Sequence, residues 1–321
     1  MSRLISTAEA AAKLRQVDDI VILTHQYPDG DTIGSALALC RTVQKLGKRV
    51  RVECCHDIPE KYDYLFEDLV TANFEPRFVM SVDVADEKLL GSLKDVYADR
   101  IELCIDHHGS NTQYADELLL KADYAAAAMV VCEVIRELDV PFDSATAEAI
   151  YTGLATDSGC FKYANADAYA HRMAADMMDV GIRAEMINRS MFDIKSRARV
   201  ELERLALAGM TFYCGGRVAV MPITCDMIEK SGAQENDMEG LAPLPRQIEG
   251  VWVGLTMRQK EDGNFKVSVR TGNHADASAI CKELGGGGHI RAAGCEIAKP
   301  LDEAIDLLIH TIQAVIPRIC Q

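Results

Sequence analysis

Over residues 1–190, short apolar runs bounded by turn residues alternate with segments whose apolar positions recur at helical spacing. The runs at 19–24 (DIVILT), 49–53, 77–82 (RFVMSV) and 101–105 (IELCI) read as buried strands. Between them, residues 31–46 place Ile33, Leu37, Ala38, Val43 and Leu46 on one helical face, and Gly47 stands where such a helix would end. Residues 124–138 and 144–156 read as further helices, and residues 1–19 as an amphipathic one. This alternation predicts a doubly wound, mainly parallel sheet covered on both faces. Residues 167–207 look helical throughout. After Met210 the pattern shifts to strands at 217–222, 251–258, 265–270 and 294–297, with helices at 275–284 and 302–315. The overall expectation is an α/β chain in which an N-terminal domain (1–190) is joined by a helical linker (191–210) to a smaller α+β domain (211–321). The Pro- and Gly-bearing stretch 232–250 is the segment expected to be mobile.

Charge narrows the partners. With 34 Lys+Arg against 49 Asp+Glu, the net charge is −15. That argues against a protein built to grip long nucleic acid, whose affinity comes from Lys and Arg neutralising phosphates. A small phosphorylated ligand in one local basic pocket stays compatible. The longest apolar run, 125–132, is far short of the roughly 20 residues that span a bilayer, and the N-terminus lacks the features of an export signal. The expectation is a cytoplasmic protein with no membrane partner. The 11 cysteines are scattered without a CxxC pair, which predicts reduced, mostly buried thiols and neither a disulfide framework nor a structural zinc site.

Four polar groups follow the expected strands or close a helix: His25-x-x-x-Asp29-x-Asp31, Asp83, Asp106-His107-His108 and Asp157. In an open parallel sheet, ligands bind beyond the carboxyl ends of the strands, so these groups would meet in one crevice. Carboxylates and imidazoles without thiolate form a hard ligand set that suits Mn²⁺, Mg²⁺, Fe²⁺ or Co²⁺. There are more such residues than one ion needs. A pair of ions sharing a carboxylate and a water would use them, as in two-metal phosphoryl hydrolysis. Each group has a blander reading. Asp83 or Asp157 alone could be a helix cap, His25 an interior histidine, and Asp29 and Asp31 turn chemistry around Gly30. Asp106-His107-His108 resists such a reading, because three polar residues directly after an apolar strand serve no packing purpose.

Together these four motifs resemble the signature of the DHH phosphoesterase superfamily. The C-terminal run Gly285-Gly286-Gly287-Gly288-His289 with Arg291-Ala292-Ala293-Gly294 resembles that of its associated substrate domain. The resemblance covers almost the whole chain and is greatest to the branch of nanoRNases and pAp phosphatases. It implies that His25 and Asp29 bind one metal, Asp31, His107 and Asp157 the other, and that Asp83 bridges them. It further implies that Asp106 orients a histidine and that His108 meets the scissile phosphate or the leaving oxygen.

In the second domain, the glycines could form a nest of backbone N–H groups for an anion. His289, Arg291, Arg270 and His274 would add donors beside Gly286, Gly287 and Gly288. By the resemblance, this end holds the far terminus of a short substrate. Phe161, Tyr163 and Tyr169 could stack one base, although ordinary packing explains them equally well. The preferred expectation is a Mn²⁺-dependent phosphoesterase, working through a hydroxide bridging two metals. It would release 5′-mononucleotides from very short RNA or from pApA and pGpG, and would also convert pAp to AMP. A homodimer is a base-rate expectation only. The competing readings are an inorganic pyrophosphatase or exopolyphosphatase, a single-strand exonuclease, and a non-catalytic nucleotide sensor.

Overall fold

A computed structural model describes residues 2–238 and 240–321, and within it the chain forms two compact units, 1–194 and 195–321. The first unit is built on six parallel strands: β1 (Arg3–Leu4), β2 (Ile20–Leu23), β3 (Val50–Glu53), β4 (Phe78–Val82), β5 (Ile101–Asp106) and β6 (Glu117–Leu120). They lie in the order β1-β6-β5-β4-β2-β3. The chain therefore winds one way from β2 to β3 and the other way from β4 onward. The reversal falls between β2 and β4, which is where such sheets open a crevice at their carboxyl ends.

The strands read as continuous apolar runs because both faces are covered. On one face pack α1 (Thr7–Gln16) and α2 (Gly30–Lys45), and later α4 (Ala127–Glu137) and α5 (Ser144–Asp157), around Ile20, Ile22, Phe78 and Met80. The opposite face, with Val21, Leu23, Val79 and Cys104, is covered by short helical turns and the one-turn α3 (Lys94–Tyr97) rather than by long helices. Two further helices, α6 (Ala168–Asp179) and α7 (Ala184–Asn188), complete the unit. Helices α2 and α5 approach closely at glycines. A Cβ at Gly34 would stand 2.4 Å from the Ala149 carbonyl oxygen, and one at Gly153 would stand 2.8 Å from Asp31 Oδ1. That closeness sets the start of α2 beside the end of α5.

Residues 1–19 depart from the expected single helix. Ser6 caps α1 with a reciprocal Ser6–Glu9 capping box, and the residues before it extend as β1 alongside β6. The all-helical reading of 167–207 resolves into separate helices. The last of them, α8 (Arg197–Ala208), packs with the second unit through Leu202 and Ala206.

That unit carries β7 (Thr211–Tyr213), β8 (Val218–Ile223), β9 (Val253–Gln259), β10 (Phe265–Thr271), β11 (Gly287–Gly288) and β12 (Ala292–Ile297), in the order β11-β12-β10-β9-β8-β7. Only β8 and β9 pair in parallel. Helices α9 (Cys225–Ser231) and α8 lie over one face. Helices α10 (Ala277–Lys282) and α11 (Leu301–Val315) cover the other. Residue 239 of the stretch expected to be mobile lies outside the described residues. Its neighbours are folded onto the sheet: Leu241 and Pro245 are buried, and Thr256 Oγ1 donates to the Ala242 carbonyl at 3.2 Å. The expectation of reduced thiols throughout is also corrected, since Cys214 and Cys320 form a disulfide across 106 residues of sequence. Their proximity follows from the docking of the turn after α11, where Ile319 is buried and its carbonyl accepts from Arg217 Nη1 at 2.9 Å, and was invisible as spacing. Among the described residues, no helix is long and apolar enough to cross a membrane.

Candidate active site

All four polar groups of the first unit meet beyond the carboxyl ends of β2, β4 and β5. Asp29 caps α2, accepting from the N–H groups of Asp31 and Thr32 at 3.0 Å each. Asp31, fully buried, accepts from the N–H groups of Ala127 (2.6 Å) and Ala128 (2.9 Å) at the start of α4 and from Ser35 Oγ (3.0 Å). Asp83 follows β4 with φ +61°, a left-handed conformation that costs of order 1–3 kcal/mol in a non-glycine residue and concentrates at functional sites. Asp157 ends α5. The turn after it runs through three left-handed residues, Gly159, Cys160 and Phe161.

Three groups of donors converge, each within 4.8 Å: His25–Asp29–Asp83, Asp31–His107–Asp157 and Asp83–His107–His108. His25 Nε2 lies 3.4 Å from Asp29 Oδ2 and 3.6 Å from Asp83 Oδ2. His107 Nε2 lies 3.3 Å from Asp157, 3.6 Å from Asp83 and 3.7 Å from Asp31. These separations are long for hydrogen bonds. They lie at or slightly beyond the edges, about 3.0–3.5 Å, of a coordination polyhedron with bonds of about 2.1 Å. His107 Nδ1 sits 3.1 Å from the Tyr124 carbonyl, which can only accept, so Nε2 carries its lone pair toward the carboxylates. Asp83 Oδ1 and His107 Nε2 are both buried without a hydrogen-bond partner. Two acceptors facing each other in the interior are repulsive unless a cation lies between them. The residues present therefore fit divalent metal.

The electrostatics agree. Burial, and then the charges of Asp31, Asp29, Asp157 and Asp106, push the Asp83 carboxyl well above the usual carboxylate range. Burial with Asp31 and Asp29 pushes Asp157 up to about 8. Burial also raises Asp31, against the pull of His107. Asp106 behaves differently. Burial opposes its charge, but the bonds from His108 and Asn111 win and hold it below the ordinary range. Its Oδ1 accepts from His108 Nδ1 at 2.9 Å and from the His107 N–H at 2.8 Å, while its Oδ2 accepts from Asn111 Nδ2 at 2.7 Å. The bond to Asp106 raises the His108 imidazole above its usual range and leaves Nε2 directed away from Asp106.

Asn111 and Asn165 were missed by sequence reading. Asn165 Nδ2 donates to the main-chain carbonyls of Ala125 and Asp157, each at 3.3 Å. Of the three aromatic residues after Asp157, Phe161 packs between Tyr151 and His171, and Tyr169 bonds to Glu133. Tyr163 is 59% exposed, with its ring over Gly159. Tyr27, between His25 and Asp29, is 66% exposed and was not singled out from the sequence.

In the second unit the glycine run is a hairpin edge. The N–H groups of Gly285 and Gly286 close α10 on the carbonyls of Lys282 and Cys281, while Gly287 and Gly288 pair with β12. His289 and Ala292 bracket the turn that joins β11 to β12. Arg270 projects from β10, opposite Gly254 on β9. Arg291 is exposed and folds back along its own loop, where its Nη1 donates to the carbonyls of Gly272 and of Ala275 (3.0 Å), so it fastens the loop that carries His274. His274 stacks on Trp252 at 4.7 Å, and Arg217 lies over the same indole at 4.8 Å.

The glycines are not equivalent. A Cβ at Gly286 would stand 2.2 Å from the Gly294 oxygen, whereas one at Gly287 meets nothing within 4 Å. Gly286→Ala is therefore expected to destabilise by about 1–3 kcal/mol, as overpacking does. Gly287→Ala should stay within about 0.5 kcal/mol. Denaturant unfolding of the two variants checks this, and equal effects would contradict the geometry.

The chain is similar to known proteins over both units. Residues 19–154 match the DHH family N-terminal domain, and residues 215–317 match the DHHA1 domain. The chain is 31% identical over 307 residues to the bifunctional oligoribonuclease and PAP phosphatase NrnA of Thermus thermophilus, covering 93% of this chain and 90% of that one. It is 24% identical to the protein of the same description from Mycoplasma pneumoniae, over 92% of this chain and 93% of that one. An exopolyphosphatase-related protein from Bacteroides fragilis shares the fold, with a TM-score of 0.87, 23% identity and 98% of both chains covered. The exonuclease RecJ bound to manganese shares it more distantly, with a TM-score of 0.52, 15% identity, and 98% of this chain and 95% of that one covered. The chain thus belongs to the DHH phosphoesterase superfamily, as an NrnA-like, metal-dependent hydrolase.

Proposed function

We propose that this protein hydrolyses very short oligoribonucleotides and linear dinucleotides such as pApA and pGpG to 5′-mononucleotides, and pAp to AMP, with two Mn²⁺ ions. The observation that carries the reading is the pair of donor triads His25–Asp29–Asp83 and Asp31–His107–Asp157, with Asp83 Oδ1 3.6 Å from His107 Nε2 and both atoms buried and unpaired. The descriptions of the Thermus and Mycoplasma relatives support the substrate class, and the manganese of RecJ supports the ion. His25, Asp29 and Asp83 would hold one ion, and Asp31, His107, Asp157 and Asp83 the other. Two such cations, when bound, lower the pKa of a water for attack and offset charge on the phosphate oxygens.

The remaining chemistry belongs to side chains. Asp106 keeps the His108 ring oriented and proton-bearing, so His108 Nε2 can donate to the departing ribose oxygen, a poor leaving group on its own. Arg270, His274, His289 and the hairpin of Gly286, Gly287 and Gly288 would hold the far end of the substrate, with Arg291 supporting their loop. This is a small number of contacts, and with a net charge of −15 it suits a ligand of a few nucleotides rather than a long strand.

The test is turnover by metal-stripped protein, with and without Mn²⁺. The panel is pAp, 5′-phosphorylated RNA of graded length, pApA, pGpG, cyclic dinucleotides, pyrophosphate and polyphosphate. Mn²⁺-dependent preference for the dinucleotides and pAp is expected. Preference for pyrophosphate or polyphosphate would refute the account of the second unit, and binding without turnover would leave a sensor.

A further inference from the structure

The carboxylate of Glu133 has no use in the chemistry above. It lies on α4, half-buried, and among the described residues no lysine or arginine pairs with it; Arg136, one turn on, is taken by Asp176 at 2.6 Å. Instead one oxygen, Oε1, accepts from two phenols, Tyr124 Oη at 2.6 Å and Tyr169 Oη at 2.9 Å, whose rings meet edge to face with centroids 5.8 Å apart. A half-buried carboxylate whose hydrogen-bond donors are two uncharged phenols is costly to hold in place unless it fixes something.

What it fixes is the main chain at Tyr124, whose carbonyl accepts from His107 Nδ1 at 3.1 Å. The same short stretch governs the rest of one donor triad. The N–H groups of Ala127 and Ala128 hold Asp31, and Asn165 ties the Ala125 carbonyl to that of Asp157. None of these bonds reaches His25 or Asp29, which are held by Cys54 Sγ on the His25 carbonyl and by the start of α2.

We propose that Glu133, Tyr124 and Tyr169 form a positioning clamp that sets the tautomer and direction of His107, and so tunes the Asp31–His107–Asp157 metal site independently of the His25–Asp29–Asp83 site. The proposal rests on the two-metal reading above. It assigns to these three residues no contact with substrate. Their effect passes through one carbonyl to one imidazole, and groups in that outer layer govern ligand basicity and orientation.

The experiment is calorimetric titration of metal-stripped full-length protein with Mn²⁺, for the wild type and for Tyr124→Phe, Glu133→Ala and Glu133→Gln, with the melting temperature of each metal-free variant alongside. Wild type is expected to show two sites. Tyr124→Phe and Glu133→Ala should weaken one site by about 10-fold, the lower end of what loss of an outer-layer partner does, and leave the other unchanged. Glu133→Gln should restore most of the affinity, because its amide oxygen can accept from both phenols. Unchanged isotherms, or equal weakening of both sites together with a fall in melting temperature, would overturn the clamp while leaving the two-metal reading intact. A wild-type protein that binds no Mn²⁺ would overturn both.

Discussion

Asp83→Asn is expected to lower kcat by at least about 10³-fold. The residue stands in two donor groups at once, facing His25 on one side and His107 and His108 on the other. An amide keeps the shape but loses the charge that would serve two cations. Losing about 4 kcal/mol of charge stabilisation in the transition state corresponds to that factor. The same change should make the metal-free protein more stable. Asp83 is buried among Asp31, Asp29, Asp157 and Asp106, which is why its carboxyl resists ionising, and a neutral isostere removes both the desolvation and the repulsion. Steady-state kinetics and thermal melts of the stripped protein check the two halves together. Turnover within tenfold of wild type would remove Asp83 from the chemistry.

The second large effect is the response of stability to metal, and it should grow as pH rises. Asp157 is pushed up to about 8 by burial and by Asp31 and Asp29, against an unfolded value near 3.9. A group whose folded pKa lies above its unfolded one holds more protons in the native state, so its contribution is fully present below about pH 4. It declines as pH rises toward 8. Asp31 and Asp83 are shifted in the same direction. The metal-free protein is thus expected to weaken steadily between about pH 4 and pH 8. Mn²⁺ requires the deprotonated ligands, so its stabilisation should grow over the same interval. A free concentration of about 1,000 times Kd adds about 4 kcal/mol per site. At 2–4 °C per kcal/mol for about 150–250 residues, that is a rise of roughly 8–16 °C at pH 8. A melting temperature indifferent to Mn²⁺ at pH 8 would defeat the assignment of these residues as ligands.

Much of this was legible in the sequence. The strands of the first unit are apolar runs because both faces are buried, and the metal-fitting residues stand out because each is polar where such a run stops. What was missed was set by tertiary position. The two-residue β1 has too little pattern to register and exists because β6 offers it an edge. Asn165 and Tyr124 act by bonding to, or presenting, main-chain groups, a role that any residue type of the right shape can fill, and Asn111 reaches the Asp106 carboxylate from a loop with no pattern of its own. Arg291 stood beside the glycine run in sequence, but its hairpin turns it back onto the carbonyls of Gly272 and Ala275. The glycines themselves were read as a nest, yet two of their N–H groups are spent on closing α10.

The order of strands has a consequence for how the site comes into being. Its donors sit after β2, β4 and β5 and at the end of α5, from residue 25 to residue 157, and each pairing between those strands spans an intervening crossover. Closing such long loops is slow, and little is gained until several have closed. No single strand or helix supplies a complete triad, since each draws on the ends of at least two elements, so an unfolded chain offers the metal only scattered donors. Binding capacity is a property of the finished sheet, and loss of metal affinity would report the opening of any one of these strands.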